Sequence, residues 1–167
     1  MVDATRPTHL DATGAVHMVG VGEKAITARA ATARARVVMR PETAQAARDG
    51  GGPKGDLGAT VRIAGIMAAK QTPSLIPLCH TVALTRVTVD LRWVEDGAEI
   101  VARAEALDRT GVEMEAMVAA SVAALTLYDM VKSIERGVRV ERVELLDKSG
   151  GRSGHWTAGA DDEAGAP

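Results

Sequence analysis

The segment from Ala116 to Tyr128, read as AMVAASVAALTLY, constrains the fold more than any other feature of this chain. Its apolar residues point in nearly every direction around a helix, so one sheet face cannot cover them all. The run falls short of the roughly 20 residues that cross a bilayer, so a buried helix is expected, with no membrane association. The helical pattern extends from about Val112 to Glu135 and ends at Gly137, a natural stop. Covering material must be small, because aromatics make up 2% of the chain and Phe is absent. Small side chains let a second backbone approach closely, so the same run predicts burial against other subunits.

The rest of the chain alternates as strands should. Residues from Ala25 to Met39 read as one long strand of small side chains carrying Arg29, Arg34 and Arg36. Pro41 suits the first turn of a helix reaching about Asp49, and the glycines at 50–52 end it. Asp56 is a ready N-cap for a second helix through Ile63, Ile66, Met67 and Lys70. Pro73 and Pro77 confine the next segment to a loop or short turn. From Arg86 to Trp93, Val87, Val89, Leu91 and Trp93 share one face of a half-buried strand. A turn at Glu95–Gly97 joins it to a second strand, Glu99 to Leu107, making a hairpin. A last strand covers about Arg139 to Asp147. This order is the split β-α-β-β-α-β pattern, an α+β fold with helices packed on one face of an antiparallel sheet. Residues 1–8 are expected to be a flexible N-terminus, 9–156 a single domain and 157–167 a disordered tail.

Composition excludes several functions. A net charge of −2 and a pI near 6.1 argue against a basic nucleic-acid binder, and the scarcity of aromatics argues against base-stacking platforms. Cys79 is the only cysteine, so no internal disulfide forms, which fits a reducing compartment and a cytoplasmic location. No targeting segment is legible at the N-terminus. The basic residues are mostly Arg; the lysines are Lys24, Lys54, Lys70, Lys132 and Lys148. Positions where a compact, titratable amine matters favour Lys over Arg, although codon bias gives the same count.

Several residues carry potential chemistry. Asp129 and Lys132 share one helix face after an apolar stretch, as either an ordinary ion pair or a partly buried proton-transfer pair. Lys54 lies in a glycine-containing loop before the second helix, a place suited to a phosphate, though the sequence is not a Walker A motif. Leu78, Cys79 and His80 follow Pro77. His80 can act as acid, base or phosphate donor, and Cys79 as a nucleophile if something activates it, but the spacing does not suit zinc. Glu113 and Glu115 open the long helix about 200° apart, so one should face away from whatever the other contacts. Lys148–Gly154 is a basic, glycine-rich, hydroxyl-bearing segment suited to phosphate.

Taken together these segments resemble one family. Arg29 in TARA, Lys54 in KGD, RIAGIMAAK (62–70), LIPLCH (75–80), TGVEMEA (110–116), SVAALTLYDMVK (121–132) and KSGGRSG (148–154) are similar in order and spacing to the cyclic pyranopterin monophosphate synthases. These are the MoaC proteins of molybdenum-cofactor biosynthesis, and the resemblance runs from about Thr8 to Trp156.

The resemblance implies a cytoplasmic lyase of ferredoxin-like fold, assembled as a homohexamer of three dimers. Its substrate would be 3′,8-cyclo-7,8-dihydroguanosine triphosphate, supplied by a radical SAM enzyme, and its products cyclic pyranopterin monophosphate and pyrophosphate. By motif match, Asp129 and Lys132 become the catalytic pair, with Lys54 a further catalytic candidate. Leu78, Cys79, His80, Met114 and Glu115 become substrate-binding, and Arg29 and Lys148 basic residues of the same pocket. No metal site and no resident cofactor are implied, apart from magnesium that could accompany the triphosphate. The sequence departs from the family pattern at Gly20, Thr81, Arg152 and His155. The competing expectation is a non-catalytic nucleotide-binding or regulatory module, or an assembly scaffold, on the same split fold.

Overall fold

The computed structural model describes residues 9–11, 13–50, 55–152 and 154–159. Lys54, residues 1–8 and most of the expected tail lie outside them. Five strands form one antiparallel sheet: β1 (Thr27–Val38), β2 (Leu84–Val94), β3 (Gly97–Asp108), β4 (Arg139–Ser149) and β5 (Trp156–Thr157). Their spatial order is β2-β3-β1-β4-β5, so β1 sits between the β2–β3 hairpin and β4. Helices α1 (Pro41–Arg48), α2 (Leu57–Lys70), α3 (Thr72–Leu75) and α4 (Glu113–Val131) complete the chain. This is the expected α+β, ferredoxin-like arrangement. The short β5, which pairs with Asp147 and Lys148 of β4, extends ordered structure to Thr157 and has no counterpart in the sequence-based expectation.

Alanine dominates the interface between the layers. Ala31, Ala33, Ala35 and Val37 of β1 alternate inward beside Ile100, Ala102 and Ala104 of β3, all fully buried. Ala116, Ala119, Ala120, Ala123, Ala124 and Leu127 of α4 complete the core with them. Small side chains on both layers permit this close approach. Helix α2 packs along α4 for the same reason. A Cβ built on Gly65 would meet Val89 Cγ2 at 2.9 Å and the Ala119 carbonyl oxygen at 3.0 Å, so only glycine fits. The start of α2 is as read from sequence, with Asp56 Oδ1 accepting from the Ala59 N–H at 2.9 Å.

The opposite sheet face is a lattice of charge. Arg34 donates to Glu144 on the neighbouring strand at 2.6 Å and lies 3.7 Å from Glu99. Arg103 reaches Glu105, Thr32 and Asp147. Opposite charges on adjacent strands favour this register over its slipped alternatives.

Two expectations for α4 need correction. The helix stops at Val131 rather than Glu135, with Lys132 as its C-cap. Ile134 and Glu135 both donate their N–H groups to the Val131 carbonyl, closing a tight turn, and the Glu135 side chain turns to Arg40. The full helix is also 19 residues long, enough by length and composition to cross a membrane, although more than half of that apolar window is buried inside the fold.

Candidate functional site

Three stretches of chain enclose a cleft of about 370 Å³. Val19, Val21 and Lys24 come from the segment before β1, and Leu78, Cys79, His80 and Val82 from the link between α3 and β2. Thr110, Gly111, Glu113, Met114 and Glu115 come from the start of α4. Five of the seven residues expected to bind substrate, Leu78, Cys79, His80, Met114 and Glu115, therefore meet in one place, whereas Arg29 and Lys148 do not line it. The local reasons are simple. Pro73 starts the single turn of α3, and Pro77 prevents its continuation, so residues 78–82 run as irregular chain across the mouth of α4. His80 Nε2 lies 2.8 Å from the Val19 carbonyl, which pins the N-terminal segment over the cleft. A carbonyl only accepts, so Nε2 carries the proton in this contact and Nδ1 is the nitrogen left for other chemistry.

Two glutamates, Glu113 and Glu115, line the cleft close together. Both are accommodated. Glu115 is 3% exposed, and burial, reinforced by the charges of Glu113 and Asp108, pushes its carboxyl above the ordinary carboxylate range. Glu113 is paired with Lys148, Oε1 to Nζ at 3.1 Å. The two glutamates do not face apart, as helical spacing predicts. Glu113 is the first residue of α4, and its side chain folds back over Gly111, where a Cβ would stand 1.9 Å from Oε2. The Cys79 thiol is pushed up by burial and by the charge of Glu115, so it stays protonated at neutral pH and is not an activated nucleophile.

The remaining candidates lie elsewhere. Arg29 is outside the cleft; its Nε and Nη2 donate to the carbonyls of Asp108 and Arg109, each at 3.3 Å. It thereby holds the linker from β3 into α4, and its guanidinium fills the space that Gly151 leaves empty. Ser149 and Arg29 also border a second, shallower depression of about 420 Å³ on the sheet. Asp129 and Lys132 form an ion pair at 2.6 Å, with both side chains half-exposed rather than partly buried. The hydrogen bond and charge of Asp129 hold the Lys132 ammonium above its ordinary pKa. At about 1.5 Å rise per residue, Asp129 stands about 24 Å along the helix axis from Glu113, so this pair and the cleft occupy opposite ends of α4. Among the described residues, no group of three or more His, Cys, Asp or Glu is placed to hold a metal.

Sequence reasoning misses the Val19–Lys24 wall of the cleft and the partnership of Glu113 with Lys148. Lys24 has one faint signal, its place among few lysines; the Val19 contact depends on tertiary folding and has none.

The fold and cleft define an α+β protein of ferredoxin-like architecture with a polar cleft lined by Lys24, His80 and two glutamates, one of them paired with Lys148. The MoaC family model matches residues 18–151. A relative from Thermomicrobium roseum, the protein named "Cyclic pyranopterin monophosphate synthase", is 55% identical over 159 residues, covering 94% of this chain and 95% of its own. The chain belongs to the MoaC family.

Proposed function

We infer that this chain is a lyase of molybdenum-cofactor biosynthesis that converts 3′,8-cyclo-7,8-dihydroguanosine triphosphate to cyclic pyranopterin monophosphate and pyrophosphate. The observation that carries the reading is the convergence of Leu78, Cys79, His80, Met114 and Glu115 on one cleft, since they come from segments far apart in sequence. The relative's name and the family match support this reading.

Each group has a job in this reaction. The purine-derived ring enters between Cys79 and Met114, where the protonated thiol, the buried Glu115 carboxyl and His80 offer donors and acceptors to its polar edge. The triphosphate lies toward Lys148 and the glycines that follow it, with Lys54 as a further amine. Lys132, kept protonated by Asp129, supplies a proton while the ring opens and is rebuilt, and Asp129 takes one up. A ribose hydroxyl oxygen then bonds to the α-phosphorus, its proton passes to a base, and the bridging P–O bond breaks to expel pyrophosphate. Magnesium accompanying the triphosphate would enter as part of the substrate, and the protein needs no resident cofactor.

The same reading requires assembly. One chain keeps its cleft and its acid–base pair at opposite ends of α4, so a complete site takes the pair from another copy. Ile63 and Met67 on α2 and Leu125 on α4 remain more than half exposed, apolar surface fit for such contacts. A homohexamer of three dimers in the cytoplasm, fed by a radical SAM enzyme and binding neither nucleic acid nor membrane, completes the proposal.

The alternative is a nucleotide-binding module, favoured by the exposure of the Asp129–Lys132 pair in one chain. Incubation with the cyclised nucleotide separates the two. Equal amounts of pyrophosphate and cyclic pyranopterin monophosphate, over many turnovers, are expected of the lyase; stoichiometric binding with no pyrophosphate would establish the module instead.

A further inference from the structure

We propose that Glu135 is a positioning residue, which fixes the end of α4 carrying Asp129 and Lys132 by holding the backbone N–H of Arg40. The proposal rests on the reading of that pair as catalytic. Beyond Val131 the chain leaves the helix in a tight turn, with Ile134 and Glu135 sharing the Val131 carbonyl at 2.9 and 3.2 Å. Leu127, Met130 and Val131 seat the last turn of α4 in the core, whereas residues 132–134 that follow are exposed. The Glu135 side chain ties this exposed stretch back to the fold. It is 12% exposed, and its Oε2 accepts from the Arg40 N–H at 2.9 Å with Arg40 Nε at 3.5 Å.

The contact suits both ends. Arg40 is the N-cap of α1, whose own side chain makes no cap, and Pro41 at the first helical position brings no N–H. A carboxylate there meets both an available donor and the positive end of the helix dipole. A carboxylate this far out of water is costly unless bonded. Burial pushes Glu135 up, yet the Arg40 N–H, the Thr43 side chain and the charge of Arg40 together hold it below the ordinary range, so it remains ionised. Helix α1 is in turn fixed to the core through Thr43, Ala44 and Ala47, all buried. Glu135 therefore ties the half-exposed turn bearing Asp129 and Lys132 to an element seated on the sheet. The backbone N–H, not the guanidinium, is the essential partner, because Arg40's own side chain is mostly in solvent.

Steady-state kinetics on the intact chain, measured well below its melting temperature, test this. Glu135→Ala is expected to lower kcat about tenfold with KM for the cyclised nucleotide unchanged, the signature of misplaced reacting groups rather than lost binding. Glu135→Gln keeps an accepting oxygen, and Arg40→Ala keeps the N–H, so both should stay within about twofold of the parent. Wild-type kcat in Glu135→Ala, with only the melting temperature lowered, overturns the proposal. So does a Gln variant as impaired as the Ala variant. Should Glu135→Ala fail to fold, Glu135→Met preserves the stem without an acceptor and is judged by the same criteria; if neither folds, the residue is structural and the proposal falls. Lys132→Ala distinguishes failure of the catalytic pair from failure of the Glu135 contact. Normal turnover there would remove the catalytic pair itself, whereas a dead Lys132→Ala beside an unimpaired Glu135→Ala removes only the role of Glu135.

Discussion

Glu115 couples the stability of the fold to pH. Its carboxyl is buried with Glu113 and Asp108 nearby, so the folded chain holds a proton that the unfolded chain releases near the ordinary value of 4.5. A carboxyl raised on folding contributes most at low pH, and that contribution is lost as pH climbs through the raised value. Glu115→Gln removes the proton exchange while keeping the shape. Its stability relative to the parent should therefore increase as pH rises above 4.5 and then level off. Urea unfolding across that range checks this; a constant difference at every pH would mean that Glu115 ionises freely in the folded state. The same burial explains the neighbouring thiol. Cys79 is legible as a candidate nucleophile in sequence, but its environment belongs to Glu115, a residue contributed by another element.

At the scale of elements, close packing of α2, α4 and the sheet depends on side chains that are missing. Gly65→Val would drive methyl groups into Val89 and the backbone of Ala119, and overpacking of this kind costs about 2 kcal/mol. Gly58, in the same helix, has only Asp56 Oδ1 within 4 Å of its would-be Cβ, at 3.6 Å. Gly58→Ala should instead stabilise by about 0.5 kcal/mol, by restricting the unfolded chain. Denaturant midpoints of the two variants are expected to move in opposite directions; a Gly65→Val protein as stable as the parent would contradict the packing account. Most elements are legible because their signals are local. The alternation of Val87, Val89, Leu91 and Trp93 is read within one strand, as is the cap at Asp56 within its own turn. The end of α4 is misjudged from sequence for the converse reason, since Glu135 is claimed by Arg40, a partner remote in the chain. The cleft is legible only through motif resemblance, because nothing in the spacing of Cys79 and Glu115 says that they meet. Lys54, legible as a candidate in the same way, lies outside the described residues.

The whole molecule poses the question of where a complete site is assembled. The cleft residues stand at the first turn of α4 and the Asp129–Lys132 pair at its last, about 24 Å apart along the axis. If the cleft binds substrate and Asp129 and Lys132 act on it, as proposed, a single chain with this geometry does not bring the two to the same atoms. The apolar residues left outside on α2 and α4 mark surfaces by which copies can close that gap. Mixing two inactive proteins tests this most directly: His80→Ala, damaged only in the cleft, and Asp129→Ala, damaged only in the pair. Each alone should be inactive. After verified subunit exchange, sites that combine an intact cleft with an intact pair from different chains should restore part of the pyrophosphate release. Exchange without any recovery would place cleft and pair in the same chain and contradict the shared site.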